Sequence, residues 1–180
     1  MGYFVAVTDS PVGDDLRMER DVLSEMRVEK VAWHDQATLV AAVCDADAIM
    51  CMHAPMTSAV LRSLSRCKVI TRFGTGLDNI DQKAAEAAGI PVLGVLDYCT
   101  QEVANHVLAL ILAWNRRIID YHQFVQEKRW NERTQTTGNW GCGPICRLSK
   151  QTLGLLGFGR IGRAVAQRAA SFGMTVITHD

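Results

Sequence analysis

The sequence predicts an α/β protein built around parallel strands, and three observations carry that prediction. Short apolar runs alternate with stretches of helical period along the first hundred residues, a pattern of strands wrapped by helices rather than of hairpins. A glycine-rich turn near residue 157 sits between one further apolar run and one further helical stretch. The composition, 48% hydrophobic and 21% charged over 180 residues, suits one packed domain or one domain with part of another.

The strands are expected at 3–8, 28–33, 48–52, 68–73 and 91–95, and the intervening helices at 15–25, 37–43, 58–65 and 82–88. The last of these closes on Gly89 and then Pro91, a common way to stop a helix. From Thr100 a longer periodic segment runs to about residue 128, with Val103, Val107, Leu110, Ile111, Trp114 and Ile118 on one stripe. Thr100 is the expected N-cap, and Glu102 lies favourably in the first turn. Residues 131–147 break the periodicity and carry Gly138, Gly141, Gly143 and Pro144, so they read as an extended arm. A new unit follows, with a strand at 152–156, a helix at 160–172 stopped by Gly173, and a strand at 174–178.

Charge and cysteine usage narrow the function classes. Nineteen basic residues balance nineteen acidic ones, so no electrostatic footprint points to nucleic acid or an anionic membrane. The opening apolar run Phe4-Val5-Ala6-Val7 is too short for a signal segment or a membrane span, and a cytoplasmic protein is expected. Of the six cysteines three lie in or beside apolar runs, and Cys44, Cys51, Cys67 and Cys99 read as reduced thiols. Cys142 and Cys146 form a C-x3-C with no second Cys/His pair nearby, a loop rather than a zinc site. No metal is expected.

The stretch Leu156-Gly157-Phe158-Gly159-Arg160-Ile161-Gly162 contains G-x-G-x-x-G between a strand and a helix, and Asp180 stands 18 residues beyond Gly162 at the end of the next strand. Context, register and carboxylate together point to a dinucleotide site. Gly157 permits the tight turn, Gly159 lets a pyrophosphate approach the backbone, and Gly162 lets the helix pack closely on its strand. The helix N-terminus offers N–H groups and a positive dipole to the phosphates. Asp180 would accept the adenosine ribose hydroxyls and repel a 2′-phosphate, which favours NAD over NADP. The plainer reading is a glycine-rich turn with no ligand.

A second constellation, Arg72-Phe-Gly74-Thr75-Gly76-Leu-Asp78-Asn79-Ile-Asp81, follows the fourth expected strand. Glycines on both sides of Thr75 expose successive N–H groups as an anion-sized nest, with Arg72 as a carboxylate donor on the same rim. A loop with Asp78 or Asn79 capping a helix explains the same residues equally well.

This stretch, then Ala84-Ala-Glu-Ala-Ala-Gly-Ile-Pro-Val92, then Glu102-Val-Ala-Asn-His-Val-Leu-Ala-Leu110, then the glycine fingerprint, resembles the D-isomer-specific 2-hydroxyacid dehydrogenases. Arg72 and the run Gly154–Ala169 are most similar to the C-terminal-binding-protein-like branch. The resemblance spans essentially the whole chain. It implies a flavodoxin-like substrate domain over 1–99, an interdomain helix and dimerisation arm over 100–147, and the first βαβ unit of a Rossmann NAD-binding domain over 148–180. It also implies that Arg72, Thr75 and Gly76 bind the carboxylate of a small 2-keto or 2-hydroxy acid, with Thr75 also near the cofactor and His53 facing the same site. A lone His at a strand end is, however, more often simply hydrogen-bonded than a ligand-facing group, and that reading of His53 stands beside the other. Asn105 departs from the acidic residue often found at its position, and His106 is expected to pack against the apolar stripe.

The implied activity is NAD-dependent interconversion of a 2-keto acid and a D-2-hydroxy acid by a homodimer. An NAD-regulated corepressor-like scaffold and a catalytically silent oligomerisation module fit the same motifs. The family's hydride-transfer Arg, Glu and His match no residue here, so no catalytic residue is assigned. The sequence stops two strands into a fold that usually has about six, and the expectation is a truncated chain, inactive by itself.

Overall fold

Five parallel strands frame the first of two units, Met1–Leu96, in a computed structural model that describes residues 2–11, 13, 15–129 and 143–180. They are β1 (Phe4–Val7), β2 (Arg27–Lys30), β3 (Ala48–Cys51), β4 (Val69–Arg72) and β5 (Val92–Gly94), in the order β2-β1-β3-β4-β5. This is the flavodoxin-like order. The helices between them are α1 (Arg17–Val22), α2 (Gln36–Val43), α3 (Ser58–Ser63) and α4 (Gln82–Ala87).

Strand alternation divides the core between the two faces of the sheet. Ala6, Ile49, Cys51 and Ile70 point to one face and pack with Leu39 and Val43 of α2, Val60 and Leu61 of α3, and Ala85 of α4. Val5, Val7 and Val28 point to the other, with Leu16 and Leu23 at the two ends of α1. Parallel strands need cover on both faces, which is why β1 and β3 are apolar throughout, whereas β2, at the sheet edge, buries only Val28. The helices start where side chains satisfy their first N–H groups. Asp35 and Thr38 form a reciprocal capping box on α2, Thr57 caps α3, and Asp81 accepts the Ala84 N–H at 3.0 Å to open α4. The cap of α4 is therefore Asp81, not Asp78 or Asn79.

The second unit, Asp97–Asp180, contains α5 (Thr100–Asn115), α6 (Ile118–Gln126), β6 (Thr152–Leu156), α7 (Arg160–Ser171) and β7 (Thr175–His179), with β6 and β7 paired in parallel. The long helix expected from Thr100 is two helices. Arg117 adopts a left-handed φ of 56° and breaks the ladder between them. Cys99, without a side-chain cap bond, precedes the first turn, and Thr100 is already helical.

Of the expected stripe, Val107 packs on the cluster formed with α7. Ala104 and Leu108 of α5 meet Ala164 and Val165 of α7 over Leu153 and Leu155 of β6, whereas Val103, Leu110 and Trp114 are exposed. The helix is apolar on more than one side, and α7 covers the side that carries Ala104 and Leu108. His106 is exposed rather than packed, and Phe124 of α6 is buried. Arg168 of α7 locks the two helices, donating to Asn105 Oδ1 at 2.8 Å and to Gln101 Oε1, which gives Asn105 its role. Trp130, Trp140, Cys142 and most of the expected arm lie outside the described residues.

At the amino edge of the five-stranded sheet Asp47 is buried and accepts the Phe4 N–H at 2.9 Å and the Arg66 guanidinium at 2.9–3.2 Å. The Phe4 N–H, against the opposing effect of burial, and then Arg66 hold its carboxyl below the ordinary 3.8. A depressed folded-state pKa stabilises the fold above the unfolded value and loses that effect as pH falls through the folded one. The thermal midpoint should therefore drop as pH is lowered from about 5 through 3.8 and below, and drop less steeply in Asp47→Asn. Circular-dichroism melts at stepped pH check this; equal slopes for both proteins would contradict it.

Candidate substrate and nucleotide sites

In the first unit the functional residues gather at the carboxyl ends of the strands. Arg72 is the last residue of β4, in register with Cys51 of β3 on one side and Gly94 of β5 on the other. The chain then turns through Gly74-Thr75-Gly76. Val95 N–H donates to the Gly74 carbonyl at 3.1 Å, and the Thr75 hydroxyl donates to the Val95 carbonyl at the same distance. Gly94 permits this close approach, because a Cβ there would lie 2.9 Å from the Gly74 carbonyl oxygen.

Arg72 lies over this loop. Its Nη1 donates to the Gly76 carbonyl at 2.6 Å and its Nε to the Met52 carbonyl at 3.0 Å. Two of five guanidinium donors are thus taken by main chain, which fixes the plane of the group and leaves three for a ligand. Thr75 and Gly76 are exposed, and no acceptor among the described residues takes their N–H groups. A guanidinium beside two open N–H groups is an arrangement made for a carboxylate or another small oxyanion.

His53 follows β3 in an exposed loop at the same edge of the sheet. Its backbone is held firmly: Asp9, just beyond β1, accepts the N–H groups of Met52 at 3.0 Å, of His53, and of Ala54 at 3.4 Å. Burial works against ionisation of Asp9, but these donors and the Thr8 hydroxyl outweigh it and keep its carboxyl below the ordinary value. Asn79 Nδ2 ties the same segment from the other side, donating to the Ala54 carbonyl at 2.8 Å. Burial and then the Asp9 charge push the nearby Cys51 thiol up to about 12, so it is an inert core thiol. Sequence reading missed Asp9, and offered Asn79 only as a helix cap rather than as a tie to Ala54. The available signal was position, since an acidic residue ending the first strand of such a sheet stands at its ligand-binding edge.

In the second unit the glycine turn joins β6 to α7. Gly157 has φ +92°, a conformation L side chains rarely adopt. Its N–H donates to the His179 carbonyl at 2.7 Å, and the Phe158 N–H donates to Asp180 Oδ1 at 2.9 Å. The carboxylate at the end of β7 is thereby fastened to the glycine turn, with its second oxygen outside that bond. A Cβ on Gly157 or Gly159 would meet no atom within 4 Å, so the space over the turn is open. Gly159 caps α7 without a side-chain bond, so the first-turn N–H groups face that space unsatisfied by a cap. Leu156, Arg160 and Ile161 are exposed around it, and Phe158 is half-buried. These residues fit a dinucleotide pyrophosphate on the helix N-terminus and a ribose on Asp180.

Gly162 has a slightly different role from the expected one. A Cβ there would lie 2.5 Å from the Gly157 carbonyl oxygen, so it allows the helix to close on the turn itself rather than on the strand. Among the described residues no group of acidic, His or Cys side chains could hold a metal ion, and no helix is long and apolar enough to cross a membrane.

A family model for the catalytic domain of the D-isomer specific 2-hydroxyacid dehydrogenases matches residues 5–179. The chain is 36% identical over 157 residues to a D-3-phosphoglycerate dehydrogenase of Mycobacterium bovis, covering 87% of this chain and 28% of that protein. It is 34% identical over 135 residues to a glycerate dehydrogenase of Methylorubrum extorquens, covering 75% of this chain and 42% of that one. The chain thus spans less than half the length of either relative. A D-lactate dehydrogenase from Aquifex aeolicus, solved with NAD and lactic acid, superposes with a TM-score of 0.82 at 25% identity, covering 98% of this chain and 51% of the other.

The approach at Gly162 sets a sign. In an exposed helix, Gly→Ala gains about 1 kcal/mol from propensity. Here the added methyl meets a main-chain oxygen that cannot swing aside, so Gly162→Ala should instead destabilise by about 1–3 kcal/mol. Urea titration of both proteins measures it, and unchanged or raised stability would show that the turn yields.

Proposed function

Since the chain belongs to the D-isomer-specific 2-hydroxyacid dehydrogenase family, we propose that it serves an NAD-dependent oxidoreductase that interconverts a 2-keto acid and a D-2-hydroxy acid. The observation that carries the reading is the pairing of the fixed Arg72 guanidinium with the open N–H groups of Thr75 and Gly76. Arg72 binds the substrate carboxylate, and the Thr75 and Gly76 N–H groups share its negative charge. His53 lines this edge of the sheet. Leu156 to Gly162 bind the dinucleotide phosphates and Asp180 the adenosine ribose, with Thr75 contributing on the cofactor side as well.

NAD supplies hydride transfer when bound; this chain's residues bind and orient. A carbonyl reduced to an alcohol also needs a proton from an oriented general acid. Among the described residues no carboxylate hydrogen-bonds the His53 ring to hold it in a working orientation. The 180-residue chain alone is therefore expected to carry binding without turnover. Residues 1–99 serve as the substrate domain, 100–147 as linking helix and dimerisation arm, and 148–180 as part of the NAD-binding domain of a cytoplasmic homodimer.

Two substitutions separate the two halves of the reading. Arg72→Ala should weaken pyruvate or glyoxylate binding by roughly one to two decades, the loss of about 1.5–3 kcal/mol from a charge-assisted pair, and leave NADH binding intact. Asp180→Ala should do the opposite, leaving keto-acid binding alone and relaxing the preference for NAD over NADP by roughly one to two decades. Calorimetric titration reads all four affinities, and NADH absorbance at 340 nm reports turnover. A main loss of cofactor affinity in Arg72→Ala, or equal NAD and NADP affinities in the unmutated chain, would contradict the assignment.

The homodimer rests on Leu110, Trp114, Ile118 and Ile119, all exposed, with Trp114 at 67%. A run of large apolar side chains of this kind along α5 and α6 marks an interaction surface. Light scattering coupled to size exclusion at micromolar concentration should give a dimer or larger species; a monodisperse monomer would contradict it.

A further inference from the structure

In a sheet of order 2-1-3-4-5 the connections change direction between β1 and β3, and open sheets of this kind leave a ligand crevice at the carboxyl ends of those strands. Here that crevice is filled from within. Asp9 occupies it, accepting three successive N–H groups from Met52, His53 and Ala54 and the Thr8 hydroxyl at 2.7 Å. Converging main-chain N–H groups are how proteins hold a bound anion. In this chain the anion is its own side chain.

The His53 N–H and the Met52 carbonyl belong to one peptide group. Asp9 accepts from the N–H, and Arg72 Nε donates to the carbonyl at 3.0 Å. A peptide group is planar and rigid, so fixing one end sets the other. Its two hydrogen bonds also polarise each other in the same sense, carboxylate to N–H and carbonyl to guanidinium. Asn79 holds the carbonyl two residues on, that of Ala54, and ties down the same segment.

We propose that Asp9 is a positioning residue of the keto-acid site, acting on Arg72 through the Met52–His53 peptide plane. It touches no substrate. The inference rests on the reading of Arg72 as the substrate's cation, and adds that the orientation of Arg72 is set from β1, two strands away in the sheet. Without the Asp9 carboxylate the plane is free to rotate, Nε loses a fixed acceptor, and a substrate must order the guanidinium on binding. That ordering corresponds to about three- to tenfold in affinity.

The test uses the 180-residue chain, NMR of the Arg72 Nε–Hε group, and oxamate as the keto-acid probe. Asp9→Asn keeps the shape but removes the charge, Asp9→Glu keeps the charge but moves it, and Asp47→Asn is a control for lost stability at the opposite edge of the sheet. The wild type should show a slowly exchanging Arg72 Nε–Hε signal. Asp9→Asn should exchange it at least about tenfold faster and bind oxamate about three- to tenfold more weakly, Asp9→Glu should fall between, and Asp47→Asn should match the wild type in both. Should Asp9→Asn not fold, Asp9→Glu carries the same comparison. Should neither fold, the wild type decides, and Arg72 Nε–Hε exchange as fast as that of exposed Arg160 would overturn the proposal. Folded Asp9 variants with unchanged Arg72 exchange and oxamate affinity would overturn it too. If the wild type binds no oxamate, the keto-acid reading fails, while the exchange comparison still decides whether Asp9 positions Arg72.

Discussion

The carboxylate of Asp9 is the fixed charge around which the carboxyl edge of the five-stranded sheet is assembled. Loops leaving parallel strands have no ladder partners, and each buried N–H left unpaired costs about 1–3 kcal/mol. Asp9 accepts three N–H groups at once from the segment after β3, and that segment then presents carbonyls to Arg72 and Asn79. The loop after β4 closes over Arg72 in turn, through Gly76, and rests on β5 through Gly94. Four strand ends, those of β1, β3, β4 and β5, are thereby joined.

The second unit reaches a comparable result with glycine instead of charge. Gly157 turns the chain, and Gly162 lets the helix close to within a methyl of the turn. The Asp180 carboxylate is held by the Phe158 N–H within that turn. In both units a carboxylate at the end of a strand accepts main-chain N–H groups from a neighbouring loop. At Asp9 the carboxylate is half-buried and serves the chain itself; at Asp180 it is exposed, with an oxygen to offer a ribose.

Local chemistry made much of this legible in the sequence. The apolar runs that became β1 to β5 announce strands covered on both faces, and the glycine fingerprint names its own geometry, since no other residue takes φ +92° at Gly157 without strain. What stayed hidden was long-range. Asp9 lies 43 to 45 residues from the N–H groups it gathers, and a lone aspartate before Ser10 and Pro11 reads as an ordinary turn. Periodicity showed that α5 carries an apolar stripe, but Ala104 and Leu108 were chosen by what α7 offers, small side chains at Ala164 and Val165. The break at Arg117 left no mark in the pattern, because neither glycine nor proline stands there.

In the proposed function, Arg72 with the Thr75 and Gly76 N–H groups forms a seat for a 2-keto acid carboxylate. A crystal structure of the chain soaked with oxamate tests it most directly. The oxamate carboxylate should lie on the Arg72 guanidinium, within hydrogen-bond reach of both N–H groups, with the Asp9 to Met52 contacts unchanged. Oxamate bound elsewhere, with Arg72 still engaged only by the Met52 and Gly76 carbonyls, would contradict it.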